Sequence, residues 1–460
     1  MRKQTQRIKY VSVDFVSAAL SWLLFNVIRY HEIGMYVGFH SLSSYLSFPV
    51  IVKGQLLVPF FWLALHYLSG YYNRPLGKSR LDEFLVTLTT TFFGSLFLFF
   101  FIVLNDLPIH RFSFYHLSFH LFWLSFALTY IPRLIITQAA TRNIQKRKWT
   151  TRVLIIGEKS KVKKLCSELE KPTRALSYSV EGVIEPRKAG NLLKEIEKNH
   201  ISELIVAPEE GPEGESALLA TLYSLYQYNL PIKMPLSNSR LLNGKVKVES
   251  ISGGVPLVDL SSNNMSDAAT NSKFVADKVV SLLALVVLSP LFAILALRIK
   301  ADSKGSVFFQ QERIGYMGKP FFIYKFRTMR EDAEKNGPAL SSVNDQRVTR
   351  AGQFMRKYRL DELPQFWNVL KGDMSLVGPR PERKFFIDQI VQKAPWFYLL
   401  HNTRPGITSW GMVKYGYAET VDEMIERLQY DIIYYENRSL LADVKVLIHT
   451  VRTVFLGKGV

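Results

Sequence analysis

Two adjacent carboxylates, Asp361 and Glu362, open the stretch RLDELPQFWNVLKGDMSLVGPRPE at residues 359–382. Cations crowd around them: Arg350, Arg356, Lys357 and Arg359 before the pair or beside it, Arg380 and Arg383 after it. Cations lower a carboxylate pKa and keep it ionised, and they also gather phosphates. An ionised Asp in such a place has two uses on a phosphoryl ester. It can hold a divalent metal on the phosphate oxygens, or it can attack phosphorus and form an acyl phosphate. Adjacent carboxylates can divide these tasks, because successive helical positions diverge by about 100°. The alternative reading is that Asp361 only caps a helix.

The helix in question is legible. Leu360, Leu363, Phe366, Trp367 and Leu370 recur at helical spacing. Pro364 is tolerated only in a first turn, and Gly372 suits a C-terminal stop, so the helix is expected to start near Asp361. Beyond it lie further cationic phosphate candidates, Arg313, Lys325 and Arg327 in FFQQERIGYMGKPFFIYKFRTM, and Arg404 in RPGITSWGMVKYG. Their alternative role is surface charge near anionic lipid.

The chain that must position these residues has 460 residues, enough for two to four domains, and a net charge of +19. That charge points to an anionic partner: nucleic acid, a phospholipid surface or a phosphorylated substrate. A lone Cys166 excludes an intrachain disulfide and a Cys-based zinc cluster. The basic N-terminus MRKQTQRIKY leads into an apolar stretch with no small-residue cleavage site, and reads as a retained anchor.

Four apolar stretches, at about 10–29, 45–72, 84–104 and 113–137, approach or exceed the ~20 residues of a membrane helix. A buried soluble bundle is the alternative, but FFGSLFLFFFIVL offers no polar face. Basic residues gather at the N-terminus, at 73–80 and at 142–149, which puts both ends of the bundle in the cytoplasm. Residues 150–265 alternate short strands (RVLIIG, SYSVEGVIE, SELIVAPEE, LPIKMPL) with charged helical stretches, the pattern of a parallel α/β sheet. Gly157 alone does not make a dinucleotide loop, so a structural domain without nucleotide is expected. A polar linker, 261–272, precedes an uncharged apolar run at 279–297 that is broken at Ser289–Pro290. Positive charge at both ends of that run favours a helix that enters the membrane, bends and returns; a spanning helix with a proline kink is the alternative. A last helix, about 440–456, has an apolar side that suits either a membrane interface or a protein core.

The motifs FQQERIGYMGKPFFIYKFRTM, DQRVTRAGQFMRKYRLDELPQFWNVLKGDMSLVGPRPE, RPGIT and YYENRSLLADVKVL, in this order, resemble the bacterial polyprenyl-phosphate hexose-1-phosphate transferases, which start capsule, exopolysaccharide and O-antigen repeat units. The resemblance covers the whole chain. It implies a four-helix transmembrane domain (1–140), a degenerate Rossmann-like, CoA-binding-like domain (150–265) and an α-rich catalytic domain (270–460) with a re-entrant membrane hairpin kinked at Ser289 and Pro290. It implies transfer of a sugar 1-phosphate from a UDP-sugar to undecaprenyl phosphate with release of UMP. Asp361 would be the nucleophile and Glu362 would bind Mg²⁺ or orient the site. The pair would be the metal ligands, and Arg380 would lie beside the phosphates. The expected setting is the bacterial inner membrane with the catalytic domain in the cytoplasm, and a homodimer is a further expectation. One departure stands out. After RPGIT the family usually continues Gly-Trp-Ala-Gln, where this chain has Ser409, Trp410, Gly411 and Met412.

Three rival readings remain. A membrane nucleotide-sugar dehydratase would need a Gly-rich NAD loop and a Tyr-x-x-x-Lys pair, and the sequence has neither. An inactive membrane scaffold sits poorly with an intact dyad. A nucleic-acid binder would interleave aromatics on a basic platform, whereas here the aromatics lie in apolar runs.

Overall fold

The structure is a computed structural model. It describes residues 2–103, 111–171, 177–185, 192–207, 230–235, 248–250, 257–260, 265–330 and 345–457, with isolated positions at 222–228, 255 and 333. The ends of the expected stretches at 104, 208–210 and 236, and linker residues 261–264, lie outside these.

Among the described residues, four helices are long and apolar enough to cross a membrane. They contain α1 (Arg2–Arg29), α2 (Pro49–Leu68), α3 (Arg80–Leu98) and α4 (Arg111–Gln145). Trp22, Phe25, Trp62, Leu117 and Leu121 form the apolar centre of the bundle. A bilayer offers no water to a buried polar group, so such groups must satisfy one another. Fully buried Arg133 does this: Nε and Nη2 donate to the two Asp14 oxygens at 2.8 and 2.6 Å, and Nη1 donates to Thr87 at 2.9 Å. The Tyr72 hydroxyl completes Asp14 at 2.7 Å. This bundle makes the chain a membrane protein.

The middle region is a mixed α/β sheet. Its described strands are β1 (Thr151–Ile156), β2 (Tyr178–Ile184), β3 (Glu203–Val206), β4 (Ile232–Pro235), β5 (Val248–Ser250) and β6 (Leu257–Asp259), in the order β2-β1-β3-β4-β6-β5. β1 pairs parallel with β2 and β3, and β3 with β4; β6 runs antiparallel to β4 and β5. Helices α5 (Lys159–Leu169) and α6 (Leu192–Lys198) connect the parallel strands, as a parallel crossover requires.

The third region begins with α7 (Asp267–Val287), capped by the Ser266 side chain, and α8 (Ser289–Asp302), inclined to it by 61°. Pro290 has no N–H for the Val286 carbonyl, and the Ser289 hydroxyl donates to that carbonyl instead, at 2.8 Å. The outer ends of both limbs are held by one body. At the base of α7, Lys273 pairs with Asp443 at 2.8 Å and Asp277 accepts from Ser375 at 2.5 Å. At the far end of α8, Leu295 and Ile299 pack on Phe326 and Met355. Between these ends Val279, Val280, Leu283, Val286, Val287 and Leu297 point outward.

That body contains the antiparallel pair β7 (Phe308–Ile314) and β8 (Pro320–Phe326), then α9 (Arg350–Lys357) and α10 (Gln365–Lys371). The short parallel strands β9 (Ser375–Val377) and β10 (Gly406–Thr408) follow the dyad. Just past β9, Gly378 meets Gly406, where a Cβ on Gly378 would lie 2.3 Å from the Arg404 carbonyl and one on Gly406 2.1 Å from the Gly378 nitrogen, so no side chain fits. Helices α11 (Lys384–Lys393), α12 (Trp410–Lys414), α13 (Val421–Glu436) and α14 (Leu440–Phe455) complete it.

Candidate active site

α9 is capped by the Thr349 hydroxyl and ends at Lys357. Arg359 then adopts a left-handed backbone, φ +53°, which costs a non-glycine residue about 1–2 kcal/mol. The turn sends the chain into a single 3-10 turn, Leu360–Glu362, and Pro364 leads into α10. The helix thus starts at Gln365, four residues later than expected, because Asp361 lies in the tighter turn. Its carboxylate makes no capping hydrogen bond, so the plain N-cap reading fails. α10 is locked to β8 by buried Asn368, which accepts from Tyr324 N at 3.1 Å and donates to Phe322 O at 2.7 Å. Lys325 follows on the same strand and is thereby held in register with the dyad.

The two carboxylates, both buried, live in opposite electrostatic settings. Glu362 receives Lys325 at 2.8 Å, Arg380 at 3.5 Å and Arg359 at 3.6 Å. Burial alone would raise its pKa, but these three cations overturn that and hold it well below the ordinary range. Among the described residues Asp361 makes no hydrogen bond or ion pair. Burial raises its pKa; the charge on Lys325 opposes this and that on Glu362 reinforces it. The expectation that the flanking cations lower the Asp361 pKa is therefore corrected. They converge on its neighbour, and desolvation dominates at Asp361. The result is a buried carboxyl with a basic, unshared electron pair beside a positively charged cluster, which is the arrangement a nucleophile toward a phosphate needs.

Arg380 lies on the turn after β9. Its Nη1 donates to Met412 Sδ at 3.3 Å, and its backbone N to Asp431 at 3.4 Å. The next acid, Glu382, is gripped by Arg427 at 2.6 Å and by Arg313 at 3.4 Å. The structure thus brings Lys325 and Arg380 to the dyad and engages the other candidate cations elsewhere. Arg313 holds Glu382. Arg327 donates to the carbonyls of Ser303 and Lys304, just past the end of α8. Arg404 donates to Gly372 O at 3.1 Å and lies 4.7 Å from the Phe274 ring. Of the cations the sequence places just before the pair, Arg359 reaches Glu362. Sequence reasoning missed Arg427 and Asp431, one helical turn apart on α13, which fix the turn carrying Arg380.

Among the described residues, no three His, Cys, Asp or Glu side chains come together as a metal cage. Mg²⁺ does not require one, since one or two carboxylates usually hold it with substrate phosphates. Unpartnered Asp361 with Glu362 beside it fits that use. The cations on Glu362 disfavour a free divalent ion, so the residues fit Mg²⁺ arriving with a diphosphate.

Residues 268–457 match the family described as Bacterial sugar transferase. Three relatives are informative. A UDP-N-acetylgalactosamine-undecaprenyl-phosphate N-acetylgalactosaminephosphotransferase of Aeromonas hydrophila is 39% identical over 231 residues, 50% of this chain and 54% of the relative. A UDP-glucose:undecaprenyl-phosphate glucose-1-phosphate transferase of Escherichia coli is 38% identical over 208 residues, 45% of each chain. An enzyme of the same description from Caulobacter vibrioides is 40% identical over 183 residues, 39% of this chain and 68% of the relative. The matches to the first two span about half the length of those relatives. Because the Caulobacter relative is covered over two thirds of its length, and the matched region carries the dyad and Arg380, this chain belongs to the bacterial sugar transferase family.

Proposed function

We propose that the protein transfers a sugar 1-phosphate from a UDP-sugar to undecaprenyl phosphate, releases UMP, and so initiates synthesis of an exopolysaccharide, capsule or O-antigen. The observation that carries this is the pairing of an unpartnered buried Asp361 with a Glu362 saturated by cations. An Asp361 oxygen attacks the phosphorus that bears the sugar. The bond from that phosphorus to the UMP oxygen breaks, and UMP leaves with the electron pair. An oxygen of undecaprenyl phosphate then attacks the same phosphorus and releases Asp361 unchanged. Arg380 and Lys325, shared with Glu362, turn toward the equatorial oxygens as charge develops on them. Asp361 and Glu362 would hold a Mg²⁺ that arrives with the diphosphate, and the ion would supply further charge neutralisation there.

Three further elements bear on this reading. The bent pair α7–α8, with both outer ends on the body that carries Asp361, supports a re-entrant hairpin, which keeps the dyad on the cytoplasmic face where UDP-sugars are. The outward stripe Leu441, Val444, Ile448, Val451 and Phe455 of α14 supports a helix in the membrane interface. The strand order β2-β1-β3-β4 of the middle domain is the flavodoxin-like variant of the doubly wound sheet, which supports the Rossmann-like reading only in that broader sense.

Membranes bearing the full chain, given undecaprenyl phosphate and Mg²⁺, should release UMP from at least one UDP-sugar. Folded protein that releases UMP from none would sink the reading. The hairpin has its own test. In a Cys166→Ser background, Ala276→Cys and Lys304→Cys should both react with an impermeant thiol reagent from the same side of sealed vesicles. Labelling from opposite sides would establish a spanning helix instead.

A further inference from the structure

A second cationic pair lies apart from the dyad, where α7 meets the RPGIT turn. Lys278 Nζ is 4.9 Å and Arg404 Cζ 4.7 Å from the centre of the same Phe274 ring, and Arg404 also lies 5.5 Å from the Tyr316 ring. The shared ring keeps the two cations less than about 10 Å apart. Among the described residues neither charge meets a carboxylate. Lys278 makes no hydrogen bond or ion pair there, and Arg404 spends only Nε, on the Gly372 carbonyl at 3.1 Å. Asp373, beside Gly372, is held by Lys371 instead, at 3.1 Å. The pair also has a defined depth. Lys278 immediately precedes Val279 and Val280, which open the outward apolar stripe of α7, and Lys273, before it on the same helix, is tied to Asp443 of α14. Lys278 therefore stands at the level of lipid headgroups, whether the apolar run returns or spans.

We infer that Lys278 and Arg404 form a binding site for the phosphodiester of an anionic phospholipid, built around Phe274 with the exposed Tyr316 beside it. One phosphate bridges a gap of this size by charge-assisted N–H···O bonds of about 2.8 Å on either side. Nη1 and Nη2 of Arg404 offer the planar fork that takes two phosphate oxygens, and Lys278 adds a point charge. Anionic lipid at the cytoplasmic face is the phosphate that meets such a pair at this depth. The occupant is a resident lipid and not the acceptor of the transfer reading, because the pair stands at the wrong end of α10. Gly372 follows Glu362 by ten residues of 3-10 turn and helix, about 15 Å at 1.5 Å per residue. The β7–β8 pair runs the same way, with Lys325 at the dyad end and the turn that carries Tyr316 at the Arg404 end. A phosphate held by Arg404 does not reach Asp361. Its effect is to tie the base of α7 and the RPGIT turn to the membrane surface at one point.

The test is native mass spectrometry of the full-length protein, delipidated in detergent and titrated with dioleoyl phosphatidylglycerol. Wild type should bind the lipid saturably, and more tightly than dioleoyl phosphatidylcholine, whose headgroup has no net charge. Lys278→Gln and Arg404→Gln should each weaken the tightest phosphatidylglycerol site about tenfold, the scale of one charge-assisted hydrogen bond. Lys278→Arg, which keeps the charge, should restore it. Excess undecaprenyl phosphate should leave phosphatidylglycerol bound, because the acceptor's phosphate belongs at the dyad. Affinity equal to wild type in both Gln variants overturns the inference. So does inorganic phosphate displacing the lipid at a comparable concentration, which would make this a site for a soluble anion. Displacement by undecaprenyl phosphate, with its binding weakened equally in Lys278→Gln, would assign the pair to the acceptor and overturn the resident lipid. Where a variant does not fold, the wild-type comparisons decide: equal affinity for the two phospholipids, or displacement by either competitor, sinks the inference. None of these outcomes bears on UMP release, so the transfer reading stands or falls separately.

Discussion

Asp361→Asn is expected to lower UMP release by at least about 10³-fold, the scale of losing a covalent nucleophile, while the melting temperature of the solubilised protein stays level or rises. The second half separates a functional carboxylate from a structural one. A buried Asp361 with no partner binds its proton more tightly folded than unfolded. Its contribution to stability therefore falls as pH rises from the unfolded carboxylate pKa through the raised folded one. Asn removes that penalty at neutral pH. The same shift sets the sign of the rate profile. The nucleophile must be ionised, so transfer by the wild type should climb as pH rises through a value above the ordinary Asp range and then level off. A melting temperature several degrees lower in Asp361→Asn would mean that the carboxylate holds the fold, and retained turnover would remove it as the nucleophile.

The contrast between the two carboxylates marks how far the sequence could be read. The dyad, its cationic setting, Arg380, Gly372 as a stop and the break at Ser289–Pro290 were all visible, because each follows from residue type at short range. The four membrane stretches were visible for the same reason. Which carboxylate the cations would reach was not, because that depends on the left-handed turn at Arg359 and on Lys325 arriving from a strand 37 residues away. Arg327 and Arg404 looked like phosphate ligands because an Arg in a Gly-rich, aromatic stretch carries no sign of its partner. Folding gave them backbone carbonyls instead. Within the bundle, the apolar runs announced the helices, but the Asp14–Arg133 pair joins residues 119 apart and could not be inferred from either stretch alone.

Glu362→Gln should behave in the opposite way to its neighbour. Removing this charge leaves Lys325, Arg359 and Arg380 facing one another in a site where their side chains are 15–17% exposed. Breaking a buried ion cluster by deleting one partner costs about 3–5 kcal/mol, so the variant should melt well below wild type at neutral pH. Glu362 binds its proton less tightly folded than unfolded. The stability it confers is therefore fully present above the unfolded Glu pKa and is lost as pH falls through the depressed folded value. The gap between wild type and Glu362→Gln should accordingly be widest near neutrality and narrow in strong acid. Transfer should fall as well, since Arg380 and Lys325 lose the anion that holds them at the phosphate position. Adding back Lys325→Met should recover part of the melting temperature, by removing one of the unpaired cations, without recovering transfer. If Glu362→Gln melts with wild type across this pH range, the three cations are not held by Glu362, and the division of labour between the two carboxylates falls with it.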